Sequence, residues 1–202
     1  IPSAFNVLNA DPATHERAVN TLSGFINRAV SYQNGEYLWY VLFKITKETV
    51  SYCQAPHFDV LCQSKPLASV ICNVCQAYPN LSELYQMQFY KSCSFTIPQF
   101  YVDGEGDDML INLGFERRKD KDGQIKFEIP TKWLMRMNKL IGIFASLIIN
   151  PSNLPFSLED GWLWLSKVIN YINSKPGEAP PFTAKLLDTF LRIVSPVIFE
   201  VY

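Results

Sequence analysis

Seven stretches of the chain place apolar residues at the three-and-four spacing of an α-helix, and prolines, Asn-Gly or Gly-rich breaks separate them. This punctuation constrains the fold most. Antiparallel helices on short connections, without βαβ alternation, can bury their stripes only against one another. The expected class is therefore all-α, a solenoid-like stack. No fixed-period repeat is present, so any repeat is structural only.

Asp11-Pro12 opens the first helix, because Asp can accept from orphan N–H groups and Pro tolerates the first helical position. Val19, Leu22, Phe25, Ile26, Ala29 and Val30 then share a face. After Asn34-Gly35 a second helix aligns Leu38, Val41, Leu42 and Ile45, with Lys44, Lys47 and Glu48 beside them, and ends before Pro56. A short turn over His57 to Gln63 leads to a helix restarted at Ser64 and Pro66, carrying Leu67, Val70, Ile71 and Val74 and stopped by Pro79. Asn80 with Glu83 reads as a variant capping box for a fourth helix through Leu81, Leu84, Tyr85 and Gln88 to Cys93.

The periodicity fails from Ser94 to Asp108, where Pro98 and Gly104-Glu105-Gly106 mark a loop before a turn ending at Gly114. The expected hinge or subdomain seam lies at 94–108. Between Glu116 and Ile129, the Asp122-Gly123 turn and the alternation Ile125, Phe127, Ile129 fit either an arm of a small hairpin or a solvated insertion. Pro130 starts the most regular helix, with Trp133, Met137, Leu140, Ile141, Phe144 and Ile148 on its stripe. Ser157 and Asp160 cap the next, whose stripe is Trp162, Leu165, Ile169 and Ile172. A link through Pro176, Pro180 and Pro181 reaches the last helix, where Thr183 caps, Leu186, Leu187, Phe190, Leu191 and Val194 face inward, and Pro196 bends or ends the element.

A length of 202 residues corresponds to one or two domains or one extended helical array, and we take 1–202 as a single all-helical domain. Eighteen Lys and Arg against nineteen Asp and Glu leave a formal charge of −1, which argues against broad nucleic-acid binding. The longest apolar run, Leu140 to Ile149, falls short of the about 20 residues of a bilayer span, so no membrane span is expected. Five cysteines, an odd number, form no dense framework and read as reduced thiols. Ile1 to Asn9 lack an initiator Met, a basic region and an apolar region, as expected of a cut from a longer protein whose targeting signals lie elsewhere.

Few constellations offer chemistry. Cys72 and Cys75 form a CxxC inside an apolar helical stripe, with Cys53, His57 and Cys62 upstream, but the spacings do not match paired zinc knuckles. The mid-helix position also lacks the dipole that activates a redox thiol. His15 and His57, the only histidines, have surface-type neighbours, so a nucleophile would lack a base. Standard phosphate loops are absent. Asp103, Glu105, Asp107 and Asp108 lack the register of a calcium loop and read as solvated. Arg117, Arg118, Lys119 and Lys121, interleaved with Asp120 and Asp122, read as a solvent-facing turn. Lys44 and Lys47, one turn apart, and Lys91 are the basic residues from which adjacent helices could hold a compact polyphosphate, although ordinary solvated faces also account for them. Trp162 and Trp164 point about 160–200° apart on a helix, so one is expected in the core and the other toward a neighbour or solvent.

Cys93-Ser94-Phe95-Thr96-Ile97-Pro98, Leu113-Gly114-Phe115, Trp133-Leu134-Met135-Arg136-Met137, Gly161-Trp162-Leu163-Trp164-Leu165 and Thr183-Ala184-Lys185-Leu186-Leu187 occur in that order. With Leu42 to Lys47 upstream, the series resembles the C-terminal domain of the Gle-one family of mRNA-export factors from about Thr21 onward. The resemblance implies a non-enzymatic, HEAT-like stack of antiparallel helix pairs, similar to the middle domain of the translation-initiation scaffold. It implies a factor of the nucleus, the cytoplasm and the cytoplasmic face of the nuclear pore that binds a DEAD-box RNA helicase and stimulates its ATPase cycle. A nuclear-pore protein motif and translation initiation and termination factors are further implied partners, without direct nucleic-acid binding. A generic helical-repeat scaffold of translation or trafficking is the alternative.

In fungal members inositol hexakisphosphate bridges factor and helicase through a basic pocket. The resemblance puts that pocket's helix lysine at Lys44 and the first of a basic pair at Lys91, with Lys47 nearby. Tyr40 and Ser92 stand where further basic residues would be, and Gln88 where another would help. No cofactor is expected to be required, and inositol-phosphate dependence is expected to be weak or absent. The family domain usually continues for several helices past Tyr202.

Overall fold

Side-chain capping marks the start of four of the helices among the described residues. The computed structural model describes residue 5 and residues 11–97, 106–174 and 181–201. Among these, α1 spans Pro12–Ser31, α2 Gly35–Gln54, α3 Val60–Ala77, α4 Asn80–Ser92, α5 Gly106–Asn112, α6 Pro130–Ile148, α7 Leu158–Ser174 and α8 Pro181–Val201. A 3₁₀ turn covers Ser94–Thr96, and strands β1 (Arg117–Lys119) and β2 (Ile125–Phe127) form an antiparallel hairpin. Asp11 accepts from the N–H of Ala13, Asn34 from Tyr37, and Asp59 from Leu61 and Cys62. At α7, Asp160 accepts from the backbone and hydroxyl of Ser157 while its own N–H donates back to Ser157 Oγ.

The all-α class is as the stripes predict. Helices α1, α3, α6 and α8 pack in succession as one row, and α2 and α4 pack on each other as a second. Helix α6 is central: every residue from Lys139 to Ile148 is buried, because α3, α8 and α2 cover different sides of it. Two glycines permit the closest approaches. A Cβ on Gly142 would lie 2.4 Å from Val60 Cγ1, and one on Gly161 2.7 Å from Ile148 Cγ2. The loop between α6 and α7 is anchored by Cys72 Sγ, which donates to the Leu154 carbonyl (2.8 Å), and by Gln86 Nε2, which donates to that of Pro155 (2.6 Å).

The structure corrects several local expectations. Helix α3 starts at Val60 and runs through Pro66. Asp59 supplies the cap, and the carbonyl that loses its Pro66 partner belongs to exposed Cys62, where water can take it. Pro79, not Asn80, is the N-cap of α4, so the Asn80/Glu83 capping box does not form. Helix α8 begins at Pro181 and places Thr183 inside, buried, so it does not cap. Pro196 does not end α8, which continues to Val201, because the freed carbonyl belongs to exposed Arg192. In α7 the buried side is Gly161, Trp164, Leu165 and Val168, leaving Ile169 44% exposed, so the stripe is rotated from the expected one. Leu191 likewise faces outward. Within the described part of the 94–108 segment, Phe95 and Thr96 are buried, whereas Asp107 and Asp108 sit exposed in the first turn of α5. Pro98, Asp103, Gly104, Glu105, Pro176 and Pro180 lie outside the described residues.

Candidate functional site

The three lysines lie on neighbouring helices. Lys44 and Lys47 are on α2 and Lys91 on the last turn of α4, and these helices meet where Thr49 Oγ1 and Tyr85 Oη lie 3.2 Å apart. Both helices direct their C-terminal ends toward Arg136, which donates to Gln54 Oε1 (3.0 Å) and lies close enough to Cys93 to act on its thiol. Running alongside one another, they place Lys44 and Lys91 roughly 16 Å apart along the helix axes. Lys44 is half-exposed and ion-paired to Glu48 at 2.9 Å. Glu48 accepts its hydrogen bond, and that bond with the carboxylate charge holds the Lys44 ammonium above the usual lysine range. Lys47 and Lys91 are exposed.

The surroundings of these lysines add what stripe-reading missed. Tyr37, Trp39, Tyr40 and Phe43 are 43, 52, 60 and 41% exposed on the outer side of α2, while Leu38, Leu42 and Ile45 face inward. Met87 and Tyr90 add exposed apolar surface on α4 beside Lys91. Gln88 is buried, so it offers that surface nothing. The signal was present in the sequence: Tyr37 to Phe43 holds more apolar residues than one buried stripe can use.

The family-like motifs converge elsewhere, in the core. Trp133 stacks on Phe115 (centroids 4.6 Å, 8° between planes) and meets Phe95 and Phe182 edge-on. Trp133 Nε1 donates to the Leu113 carbonyl (2.9 Å), and Trp164 Nε1 to that of Phe95 (2.6 Å). Trp164 is the core tryptophan of its pair, and Trp162 is partly buried.

The cysteines are free thiols, and Cys53, Cys72, Cys75 and Cys93 are buried. Burial pushes Cys75 and Cys93 up to about 12, a range in which they are poor nucleophiles. Exposed Cys62 is raised by its hydrogen bond to Asp59. Among the described residues, no three His, Cys, Asp or Glu side chains gather to hold a metal, and no helix is long and apolar enough to cross a membrane.

A polar cluster that spacing could not reveal surrounds Arg136. Its guanidinium pairs with Glu128 and donates to the Gly114 carbonyl (2.6 Å), and Glu116 approaches at 3.7 Å. One turn on, Lys139 donates to the carbonyls of Ala55 and Pro56 at 2.6 and 3.2 Å, tying α6 to the end of α2. Burial lowers the Lys139 pKa, and the Asp59 charge partly opposes that shift.

Comparison with known proteins agrees with this architecture. The mRNA export factor Gle1 of Drosophila melanogaster is 26% identical over 146 residues, covering 68% of this chain and 20% of the relative. That of Rattus norvegicus is 24% identical over 147 residues with the same coverage, so the chain matches about a fifth of these relatives' length. Two S. cerevisiae structures of Gle1 bound to IP6 and the Dbp5 C-terminal domain superpose over 100% of this chain and 68% of theirs, with TM-scores of 0.81 and 0.82 at 19 and 18% identity. That likeness establishes the fold. A family model described as GLE1-like protein matches residues 1–202, and the chain belongs to that family.

Proposed function

We propose that this chain is the helical part of an mRNA-export factor that works by binding and not by catalysis. It docks on a DEAD-box RNA helicase at the cytoplasmic face of the nuclear pore and speeds that enzyme's ATPase cycle by favouring separation of its two lobes. Residues 1–202 act as one all-helical domain, similar to the middle domain of the translation-initiation scaffold. A nuclear-pore protein motif and translation initiation and termination factors are further partners. The observation that carries the reading is the superposition of the whole chain on Gle1 from complexes with Dbp5 and IP6.

In this reading Lys44, Lys47 and Lys91 face inositol hexakisphosphate. Glu48 already engages Lys44, and Tyr40 and Ser92 add no charge, so the contact is weak and no cofactor is required. The test is the ATPase rate of the same organism's mRNA-export DEAD-box helicase with and without this chain, in the presence and absence of inositol hexakisphosphate. Stimulation that varies little with the inositol phosphate is expected. Stimulation dependent on tight inositol-phosphate binding, and lost in Lys44→Glu with Lys91→Glu, would overturn the weak-site reading. Neither stimulation nor binding of the helicase would overturn the adaptor reading.

A further inference from the structure

The charged hairpin borders a trough to which the proposed helicase role assigns no residue. One cavity of about 310 Å³ lies between the hairpin and the start of α6, and a second of about 500 Å³ extends along α6 to the α2–α3 connection. They share Arg118, Glu128 and Lys132, so they form one elongated feature and not two compact pockets. Together six cationic and three anionic side chains line it, on a chain whose overall charge is −1. The anions are paired within the lining, Glu116 with Arg118 at 3.1 Å and Arg136 at 3.7 Å, Glu128 with Arg136, and Asp120 with Lys126 at 2.8 Å, which leaves Lys119, Lys132 and Lys139 as the cations outside these pairs.

The hairpin register concentrates the excess charge. Arg118 and Lys126 are directly opposite across the strands, so both project from the same side, a like-charge pairing that an isolated hairpin disfavours. Glu116 and Asp120 each pair with one of them, at 3.1 and 2.8 Å, so the exposed Lys119 and Lys132 beside them carry the excess. Exposed Ile129 and Met135 (57 and 59%) flank the cationic arms along the same path. Phe127, the one aromatic ring lining the trough, is half-buried, which leaves little platform for stacking bases. Cations alternating with aliphatic side chains along an elongated trough match an extended peptide better than a nucleic acid or a compact polyphosphate.

We infer that the trough between the hairpin and α6 is a docking site for an extended protein segment that alternates acidic and aliphatic residues. The probe is a fluorescently labelled peptide of alternating Glu and Leu, titrated into the whole chain by anisotropy, with oligouridylate and inositol hexakisphosphate titrated in parallel. Arg118 and Lys132 are exposed, so the Arg118→Glu, Lys132→Glu double variant should keep the wild-type melting curve. Saturable peptide binding is expected, weakened at least about tenfold in that variant and by added salt, and unchanged in Lys44→Glu with Lys91→Glu. Absence of peptide binding, equal affinity in the folded double variant, or tighter binding of oligouridylate or inositol hexakisphosphate at this site would overturn the proposal. Lys126→Glu provides a second folded variant, expected to weaken the peptide in the same direction.

Discussion

At Arg136 one guanidinium joins the hairpin to the helical stack, since it reaches Glu128, Gly114 and Gln54 from a side chain only 10% exposed. Arg136→Met leaves the 7%-exposed Glu128 carboxylate without its cation, and a buried charge stripped of its partner costs about 3 kcal/mol or more. Urea unfolding should show that loss as a lower midpoint, and Glu128→Leu in the same chain should recover much of it because no charge is then stranded. An undiminished midpoint for the single variant would show that the pair is solvated. The thiols set a different limit, on the alkaline side. Cys75 and Cys93 keep their protons to about 12 in the folded chain, against an ordinary value of 9.0. Above pH 9 the unfolded state therefore holds fewer protons than the folded one, and stability falls as pH rises toward 12, by up to about 1.4 kcal/mol per thiol and pH unit. Melting temperature against pH should bend downward in that window, and iodoacetamide at neutral pH should modify Cys62 well ahead of the four buried cysteines.

Helix α6 touches more of the molecule than any other element, and Gly142 lets the start of α3 approach it. Alanine raises helix propensity by about 1 kcal/mol, but its Cβ would meet Val60 Cγ1 at 2.4 Å, and the stiff β-branched side chain cannot easily turn away. Overpacking of this kind costs about 1–3 kcal/mol, so Gly142→Ala should be destabilising overall. In a Val60→Ala background the same change should become stabilising, and a double-mutant cycle of thermal melts reads that sign reversal directly. Equal effects in both backgrounds would place the cost elsewhere. The same scale shows what the sequence could and could not disclose. Asp11 and the Ser157/Asp160 box were legible because capping needs only residues within one turn of each other, and Asn34, read only as a break, caps α2 in the same way. Pro66 and Pro196 misled, since whether a proline breaks a helix depends on whether the freed carbonyl faces water, which is a tertiary property. The rotation of α7 was illegible for a related reason: Trp164 is drawn inward by stacking on Phe190 (4.2 Å) and by the Phe95 carbonyl, both remote in sequence.

For the whole molecule, the contrast between core and surface explains why the sequence carried the family more strongly than any binding residue. The motifs that carry the resemblance are largely the residues that build the aromatic hub of Phe95, Phe115 and Trp133, which any member with this stack must pack. The proposed binding depends on the outward sides of α2 and α4, where exposed residues can change and leave the fold intact. The proposed inositol-phosphate surface should therefore respond to added charge without loss of stability. Tyr40 is 60% exposed one turn before Lys44, and Ser92 follows Lys91 at the end of α4. Each lysine placed there would add a charge-assisted contact to a phosphate oxygen, worth about 1.5 kcal/mol, or about tenfold in affinity. Tyr40→Lys and Ser92→Lys, made separately because the two positions lie about 24 Å apart along the helix axes, should thus each tighten inositol hexakisphosphate by about tenfold in calorimetric titration, with an unchanged melting temperature in its absence. Adding Lys44→Glu to the first and Lys91→Glu to the second should abolish each gain, because each added lysine shares its anion with the lysine beside it on its own helix. A gain that survives those two reversals would place the inositol phosphate on a different surface, and no gain at all would mean that neither α2 nor α4 faces the ligand.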